Sequence, residues 1–386
     1  MNLNNRKNKV EKFFIQNLSI YYNGNLSMLE KEDCVALVSN IMAENGFKSY
    51  IAAINIMGLK SLKTPDDVHT SHSVNIINFK SKISYFRFML SHPRATVFGN
   101  SRTYIGLSAC FFGDYRIFMN HTATLPKLWW QRKILKFFLK RFDVIKAESE
   151  AEKRELLKLG NLDPERIVII PIPIDHKYLS IRSDETVFNS LRKKFKLEKK
   201  DNILIFLAVM RMHKRPDTVL KAIKVLKNRG IKVKLLQVGK DGLTGQIGKS
   251  VMDLAKDIGV ADEVTCTGRV SDEELRCLIQ MSKVGIQSSE VEGQCIVAFE
   301  YAAVGIAECL SDIPSFEIFG EKILRHAPDD YKKLAKNIEF YIKNPKIAKS
   351  HSKANQQLVR EKYDYKLIKS KMRDLLIKKK NKFKSA

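Results

Sequence analysis

With 386 residues and 44% hydrophobic side chains, the chain is long enough for two ordinary domains and has the composition of a folded protein. Its six cysteines, at 34, 110, 266, 277, 295 and 309, form no CxxC pair, which argues against a disulfide framework or zinc site and for a reducing compartment. A net charge of +26 points to an anionic membrane surface, a nucleic acid or a polyanionic substrate, with a solvated lysine-rich surface as the plain alternative. No apolar run is long enough to span a bilayer, and the basic start MNLNNRKNKVEKFF lacks the apolar stretch and cleavage site of a secretory signal. A soluble protein on the cytoplasmic side is expected.

In chain order, residues 12–17 read as a first strand and 21–25 as a turn containing Gly24. A helix over 27–45 stops at Gly46, and a second strand follows at 50–56, the β-loop-α-β order of a Rossmann-like unit. Residues 60–92 are polar, and His69 and His72 have no acidic or thiol partner nearby. A strand at 95–98, a helix over 104–112 and a strand at 115–120 lead to His121. The segment LPKLWWQRKILKFFLKR then places Lys133, Lys136 and Lys140 on one helical face, with Trp130, Ile134, Phe137 and Phe138 elsewhere. Aromatics interleaved with cations suit a membrane interface; a helix packed on the sheet with a solvated basic face is the other reading. Strands at 143–147 and 167–170 follow, and the charged stretch 181–200 reads as a linker.

The second half opens with an apolar strand at 202–209 and the loop Met210-Arg211-Met212-His213-Lys214-Arg215-Pro216-Asp217, with proline favourably placed at a helix start. Strands at 233–238 and 263–267 and a helix over 272–281 lead to 282–310, around which the chain is organised. There a short buried strand, 284–286, gives way to Ser288-Ser289-Glu290-Val291-Glu292-Gly293. A helix follows from about Gln294, carrying Glu300. A strand-to-helix junction of this kind, with Gly293 allowing close backbone approach, can hold an anionic ligand at the strand C-termini of an open sheet. Helices over 331–343 and 345–361 and a basic terminal helix over 364–382 complete the chain.

The Ser-Ser-Glu-Val-Glu-Gly run, the seven residues between Glu292 and Glu300, the helix Glu300-Tyr301-Ala302-Ala303-Val304-Gly305 and the following Ser311-Asp312-Ile313-Pro314 resemble the retaining GT-B glycosyltransferases of the family 4 type. Gln294-Cys295 departs from the Phe-Gly of many relatives. The resemblance is good over 115–365 and weaker before 110. It implies an α/β protein of GT-B architecture, two Rossmann-like domains facing across a cleft. The expected layout is an acceptor-side domain at 1–180, the linker 181–200, a nucleotide-sugar-binding domain at 201–363, and a basic helix and tail at 364–386 that in this fold crosses back to the first domain.

The resemblance also implies roles. Arg211 and Lys214 would neutralise the donor diphosphate, although this loop is short and Arg215 could stand in for Lys214. Glu292 would hold the donor sugar and Glu300 the ribose, with Gly293, Gln294 and Cys295 also lining the donor. His121 would face the sugar, or else be a capping or loop histidine. Gly24 would lie by the donor phosphates, or else be an ordinary turn glycine. No DxD motif is present, so no metal and no cofactor beyond the nucleotide-sugar substrate is expected. The expected reaction is metal-independent retaining transfer to a glycan or lipid-linked acceptor of the cell envelope, by an enzyme peripheral to the inner face of the membrane. The alternatives are a GT-B nucleotide-sugar epimerase, which needs proton-transfer groups beside the sugar, and a basic nucleic-acid-binding protein. No nucleic-acid partner is expected, because no RNA-binding aromatic motif or zinc finger is visible.

Overall fold

The computed structural model describes residues 12–17, 34–54, 74–79, 81–99, 104–120, 124–240 and 249–377. The chain divides into two compact units, Met1–Ile172 with Lys366–Ala386, and Pro173–Tyr365.

Unit 1 is a parallel sheet of β1 (Lys12–Asn17), β2 (Phe47–Ile54), β3 (Val74–Phe79), β4 (Thr96–Gly99), β5 (Tyr115–Met119), β6 (Val144–Ala147) and β7 (Ile167–Ile169), in the order β3-β2-β1-β4-β5-β6-β7. Strands covered on both faces are mostly apolar, and β4 and β6 are buried throughout, with Lys146 of β6 paired to Glu148 at 3.6 Å. The helices are α1 (Cys34–Glu44), α2 (Lys82–Leu90), α3 (Tyr104–Ser108), α4 (Trp129–Leu139) and α5 (Glu150–Leu157). Ser81 and Ser149 start α2 and α5 by accepting the amides of Ser84 and Glu152. Ile15, Val97 and Phe118 of the sheet pack with Tyr85 of α2 and with Leu135 and Leu139 of α4.

Unit 2 begins with α6 (His176–Ser180) and α7 (Glu185–Phe195). Its parallel sheet has the order β10-β9-β8-β11-β12-β13, formed by β8 (Ile203–Leu207), β9 (Lys234–Val238), β10 (Val264–Gly268), β11 (Val284–Gln287), β12 (Ala307–Ser311) and β13 (Leu324–His326). The accompanying helices are α8 (Pro216–Asn228), α9 (Val251–Ile258), α10 (Asp272–Met281), α11 (Ile296–Val304), α12 (Tyr331–Lys343) and α13 (Pro345–Lys362). Reciprocal capping boxes, Ser250 with Asp253 and Ser271 with Glu274, start α9 and α10. The last helix, α14 (Tyr365–Ile377), belongs with unit 1, where the Tyr115 hydroxyl donates to the Leu375 carbonyl at 3.1 Å.

Both sheets are doubly wound, as an α/β protein with two Rossmann-like units requires, and each reverses its strand order once: between β1 and β4, and between β8 and β11. Three regions differ from the sequence reading. Residues 181–200 are no bare linker: α7 runs through them, and Phe188 and Leu191 pack against Ile203, Ile205 and Leu278. The unit boundary falls at Ile172, because Leu179 of α6 packs with Phe299 and Ala302 of α11. Within the polar stretch 60–92 lie β3 and α2, the latter burying Tyr85 and Met89.

One close contact holds the middle of unit 2 together. Tyr301 of α11 is fully buried, with its ring over Gly285 of β11. Its hydroxyl accepts from the Leu207 amide at 2.9 Å and donates to the Ile205 carbonyl at 3.3 Å, tying α11 to β8. A Cβ at Gly285 would lie 2.3 Å from the ring, which those hydrogen bonds hold in place. Gly285→Ala is therefore expected to destabilise unit 2 by about 1–3 kcal/mol, read as a lower midpoint of denaturant unfolding. A smaller loss from the same substitution in a Tyr301→Leu background checks that the ring is the cause; an equal loss contradicts it.

Candidate active site

Where a parallel sheet reverses its strand order, the loops leaving two neighbouring strands run to opposite faces and open a crevice at their C-terminal ends. In unit 2 those loops follow β8 and β11, so the fold alone brings 208–215 beside 288–295.

The first loop leaves the sheet at Ala208, whose amide donates to Val238. Met210 is buried beneath it, and the turn Met212–Lys214 leads to Arg215 in the left-handed conformation, φ 52° and ψ 54°. This reversal lets Pro216 begin α8. It also aims the three cations differently. Arg211 is exposed, and its guanidinium makes no hydrogen bond or ion pair among the described residues. Lys214 Nζ lies 2.5 Å from Glu292 Oε1. Arg215 is taken up by carboxylates: Nε and Nη2 donate to Asp217 at 2.9 and 3.0 Å and Nη1 to Glu290 at 3.1 Å, which raises its pKa still further. Of the two candidates for the lysine role, Lys214 faces the crevice carboxylate and Arg215 braces the helix start.

The second loop is braced from several sides. The Glu290 amide donates to the His213 carbonyl at 2.8 Å, joining the two loops. Ser289 Oγ donates to Glu292 Oε1 at 2.5 Å, and Ser315 Oγ donates to the Glu292 carbonyl at 2.5 Å. From the end of β12, Ser311 Oγ donates to the Ser289 carbonyl at 2.6 Å. From the end of β13, His326 Nε2 lies 3.0 Å from Ser288 Oγ. Burial lowers the His326 pKa to about 4, so at neutral pH the imidazole is a neutral hydrogen-bonding group. Ser311 and Ser315 sit on landmarks of the resemblance, but their bracing role had no signal in the sequence. His326 had none at all, being a lone histidine at the end of a three-residue strand.

Glu300 lies on α11, beyond the junction. Its side chain is half-buried and has no hydrogen-bond partner among the described residues. Loss of solvent pushes its carboxyl up to about 7, and nearby Asp272 adds to the shift. Gln294 is nearly covered, and the Cys295 side chain packs into the core with Phe299, Leu310 and Ile313. Burial raises the Cys295 thiol far above its ordinary value. At position 295 any contact with a ligand therefore falls to the backbone, and Gly293 keeps the turn before it without a side chain. Gly24 and His121 lie outside the described residues, as do His69 and His72. Among the described residues no group of three His, Cys, Asp or Glu side chains is placed to hold a metal ion, and no helix is long and apolar enough to cross a membrane.

Two family models match the chain: Glycosyltransferase Family 4 over residues 42–178 and Glycosyl transferases group 1 over residues 187–358. No curated protein matches it. Solved structures do. A glycosyltransferase from Rickettsia africae superposes with a TM-score of 0.75 at 16% identity, covering 96% of this chain and 100% of its own. HepE from Anabaena, solved in complex with UDP-glucose, gives 0.73 at 14% identity, covering 95% and 99%. Sucrose-phosphate synthase from Thermosynechococcus elongatus gives 0.73 at 16% identity, covering 95% and 98%. Matched by the two models through most of both units, the chain belongs to the GT-B glycosyl transferases of group 1.

Proposed function

We propose that the chain transfers a sugar, with retained anomeric configuration and without a metal, from a nucleoside diphosphate sugar to a lipid-linked or cell-envelope glycan at the cytoplasmic face of the membrane. The observation that carries the donor half is the crevice of unit 2, where Lys214 meets Glu292 at the reversal of strand order and Arg211 of the same loop is left without an ion pair among the described residues. HepE, a structural neighbour, is solved with UDP and with UDP-glucose, which makes a uridine diphosphate sugar the first donor to test.

In this reading the bond between the sugar C1 and the diphosphate oxygen breaks, and its electron pair leaves with the phosphate. Arg211 supplies a planar fork and Lys214 a point charge to that developing anion, the largest charge change in the reaction. The Lys214 ammonium is already drawn into the crevice by Glu292. A diphosphate competes for it and leaves Glu292, still held by Ser289, to accept from the sugar hydroxyls. The acceptor oxygen attacks C1 from the side the phosphate leaves, and its proton passes to a phosphate oxygen, so no protein carboxylate is needed as nucleophile. Glu300 receives the ribose hydroxyls.

Arg211→Ala and Lys214→Ala are each expected to lower kcat/KM by roughly 10²–10³-fold, because each removes a cation that acts mainly in the transition state. Steady-state transfer from UDP-glucose to a panel of glycan acceptors measures this. A full rate for Lys214→Ala beside a lost rate for Arg215→Ala would move the lysine role one residue along.

Glu300 gives a pH dependence. Its folded pKa, about 7, lies above the ordinary 4.5, so its neutral form favours the folded state and that contribution is lost as pH rises through 7. Binding to ribose hydroxyls has the opposite sense, since the ionised carboxylate is the better acceptor. UDP-glucose has no phosphate titrating near neutrality, and calorimetry should find it bound more tightly at pH 8 than at pH 6. Glu300→Gln should flatten this profile and weaken binding at pH 8 by about tenfold or more. A profile that Glu300→Gln leaves unchanged assigns the ribose to another residue.

A further inference from the structure

Helix α4 of unit 1 is apolar on two sides. Leu135 and Leu139 point into the core, as a helix on a sheet requires. On the other side Trp129 is 68% exposed, Trp130 and Ile134 are each 47% exposed and Phe137 is 49% exposed. These four occupy positions i, i+1, i+5 and i+8, which the 3.6-residue turn gathers on one face. The sequence reading set the lysines on a face apart from the rings; instead the same face carries cations in register with the rings, because side chains four residues apart meet on a helix. Lys133 Nζ sits 4.7 Å from the centre of the Trp129 ring, and the Arg141 guanidinium sits 3.5 Å from that of Phe137. Trp129, Lys133, Phe137 and Arg141 therefore make an alternating ladder at four-residue steps, with Lys140 beside it. From 124 to 141 the chain holds Lys127, Arg132, Lys133, Lys136, Lys140 and Arg141 and no acidic residue. None of the six forms an ion pair among the described residues.

We propose that this outer face of α4 is a docking surface for an anionic phospholipid bilayer. Water strips little from rings that stay exposed, whereas the bilayer interface accepts indole and phenyl rings at headgroup depth and offers phosphates to the lysines beside them. A nucleic acid would meet the cations but would desolvate Ile134 and Leu128 with nothing to receive them. A protein partner of the usual kind would have a core poor in lysine, whereas here Lys133 lies among the rings. The inference shares with the proposed function only the idea that the acceptor lies at a membrane. Docking itself can be measured without turnover.

The chain has two tryptophans, and both are in α4, so their intrinsic emission reports on this face without a label. The full chain is mixed with vesicles of phosphatidylglycerol and phosphatidylcholine, or of phosphatidylcholine alone, across a salt series. The expected result is sedimentation with the anionic vesicles only, weakening as salt rises, with the emission moving to shorter wavelength and quenched by bromolipid. Lys133→Glu with Lys140→Glu, and separately Trp129→Ala with Trp130→Ala, should each lower the vesicle partition by at least about tenfold. All four side chains face solvent, so the fold has little to lose. Thermal stabilisation by UDP-glucose, measured on the same variants without lipid, should be unchanged.

Several results would overturn docking at α4. One is no sedimentation, or equal sedimentation with phosphatidylcholine. Another is sedimentation with unaltered emission, and another is an emission shift produced by an oligonucleotide or by self-association but not by vesicles. If docking is seen but UDP-glucose gives no stabilisation of the wild-type chain, UDP-glucose is not the donor and the docking surface stands.

Discussion

At the point where the second sheet reverses, two loops leave for opposite faces, and one backbone hydrogen bond closes the gap between them: the Glu290 amide on the His213 carbonyl, 2.8 Å. The site depends on that closure. It brings the turn bearing Lys214 against the loop bearing Glu292, and it places the left-handed Arg215 where its guanidinium can hold Asp217 of α8 and Glu290 of the facing loop together. Arg215, the stand-in the sequence offered for Lys214, is thereby used up as a brace, while Lys214 meets Glu292 and Arg211 stays exposed. The serines and His326 that fix the second loop come from the ends of β11, β12 and β13, the strands stacked on one side of the reversal. A loop tied to three strand ends has little freedom left to lose when a ligand arrives, which is how preorganisation favours binding and catalysis.

Three glutamates near this edge show how surroundings assign roles to one side chain. Glu308, in the middle of β12, is fully buried against Asn355 at 3.1 Å, and burial holds its carboxyl well above the usual range. It is a neutral hydrogen-bonding group of the core. Glu292 keeps some solvent access and a lysine partner, the surroundings in which a carboxylate stays available to a polar substrate. Glu300 stands between them: enough water is removed to bring its titration to about 7, but no internal partner takes its oxygens among the described residues.

How much of this was legible in the sequence follows from how local each cause is. The β11–α11 junction could be read because its determinants are contiguous: a short apolar run, Glu292-Gly293, and a helix of small residues closed by Gly305 in the left-handed conformation. The roles proposed for Arg211 and Lys214 rest on resemblance; the separate ion pairs of Lys214 and Arg215 follow from a backbone conformation that no residue type at 215 announces. α7 was hidden because Glu185–Phe195 is dominated by charge, and its two anchors, Phe188 and Leu191, form too short a stripe to stand out. β3 and α2 were hidden by the polar residues around them, although Tyr85 and Met89 at four-residue spacing were the available sign of a buried face. His326 was beyond reach of any local pattern. Its partner Ser288 lies just past the end of β11, and only the parallel pairing of β11, β12 and β13 brings the two together.

The charge excess becomes informative only when it is located. Sixty-eight cations face forty-two acids along the chain. In unit 2 many cations have found partners: Lys227 with Glu263 at 2.9 Å, Arg229 with Glu339 at 2.8 Å, Lys194 with Glu274 at 2.8 Å and Lys249 with Asp257 at 2.7 Å. Such surface pairs add little stability, but they cancel each other's field at any distance. Salt at physiological strength screens what remains within about 8 Å, so a cation elsewhere on the molecule cannot help a surface bind an anion. What counts is how many unopposed cations stand within one screening length of the same spot. α4 is about 16 Å long and carries its cations in a stretch without an acid, among rings that give an interface something else to hold. The total of +26 would serve any polyanion equally; it is the coincidence of unopposed lysines with exposed tryptophans on one short helix that favours the proposed lipid surface over the others.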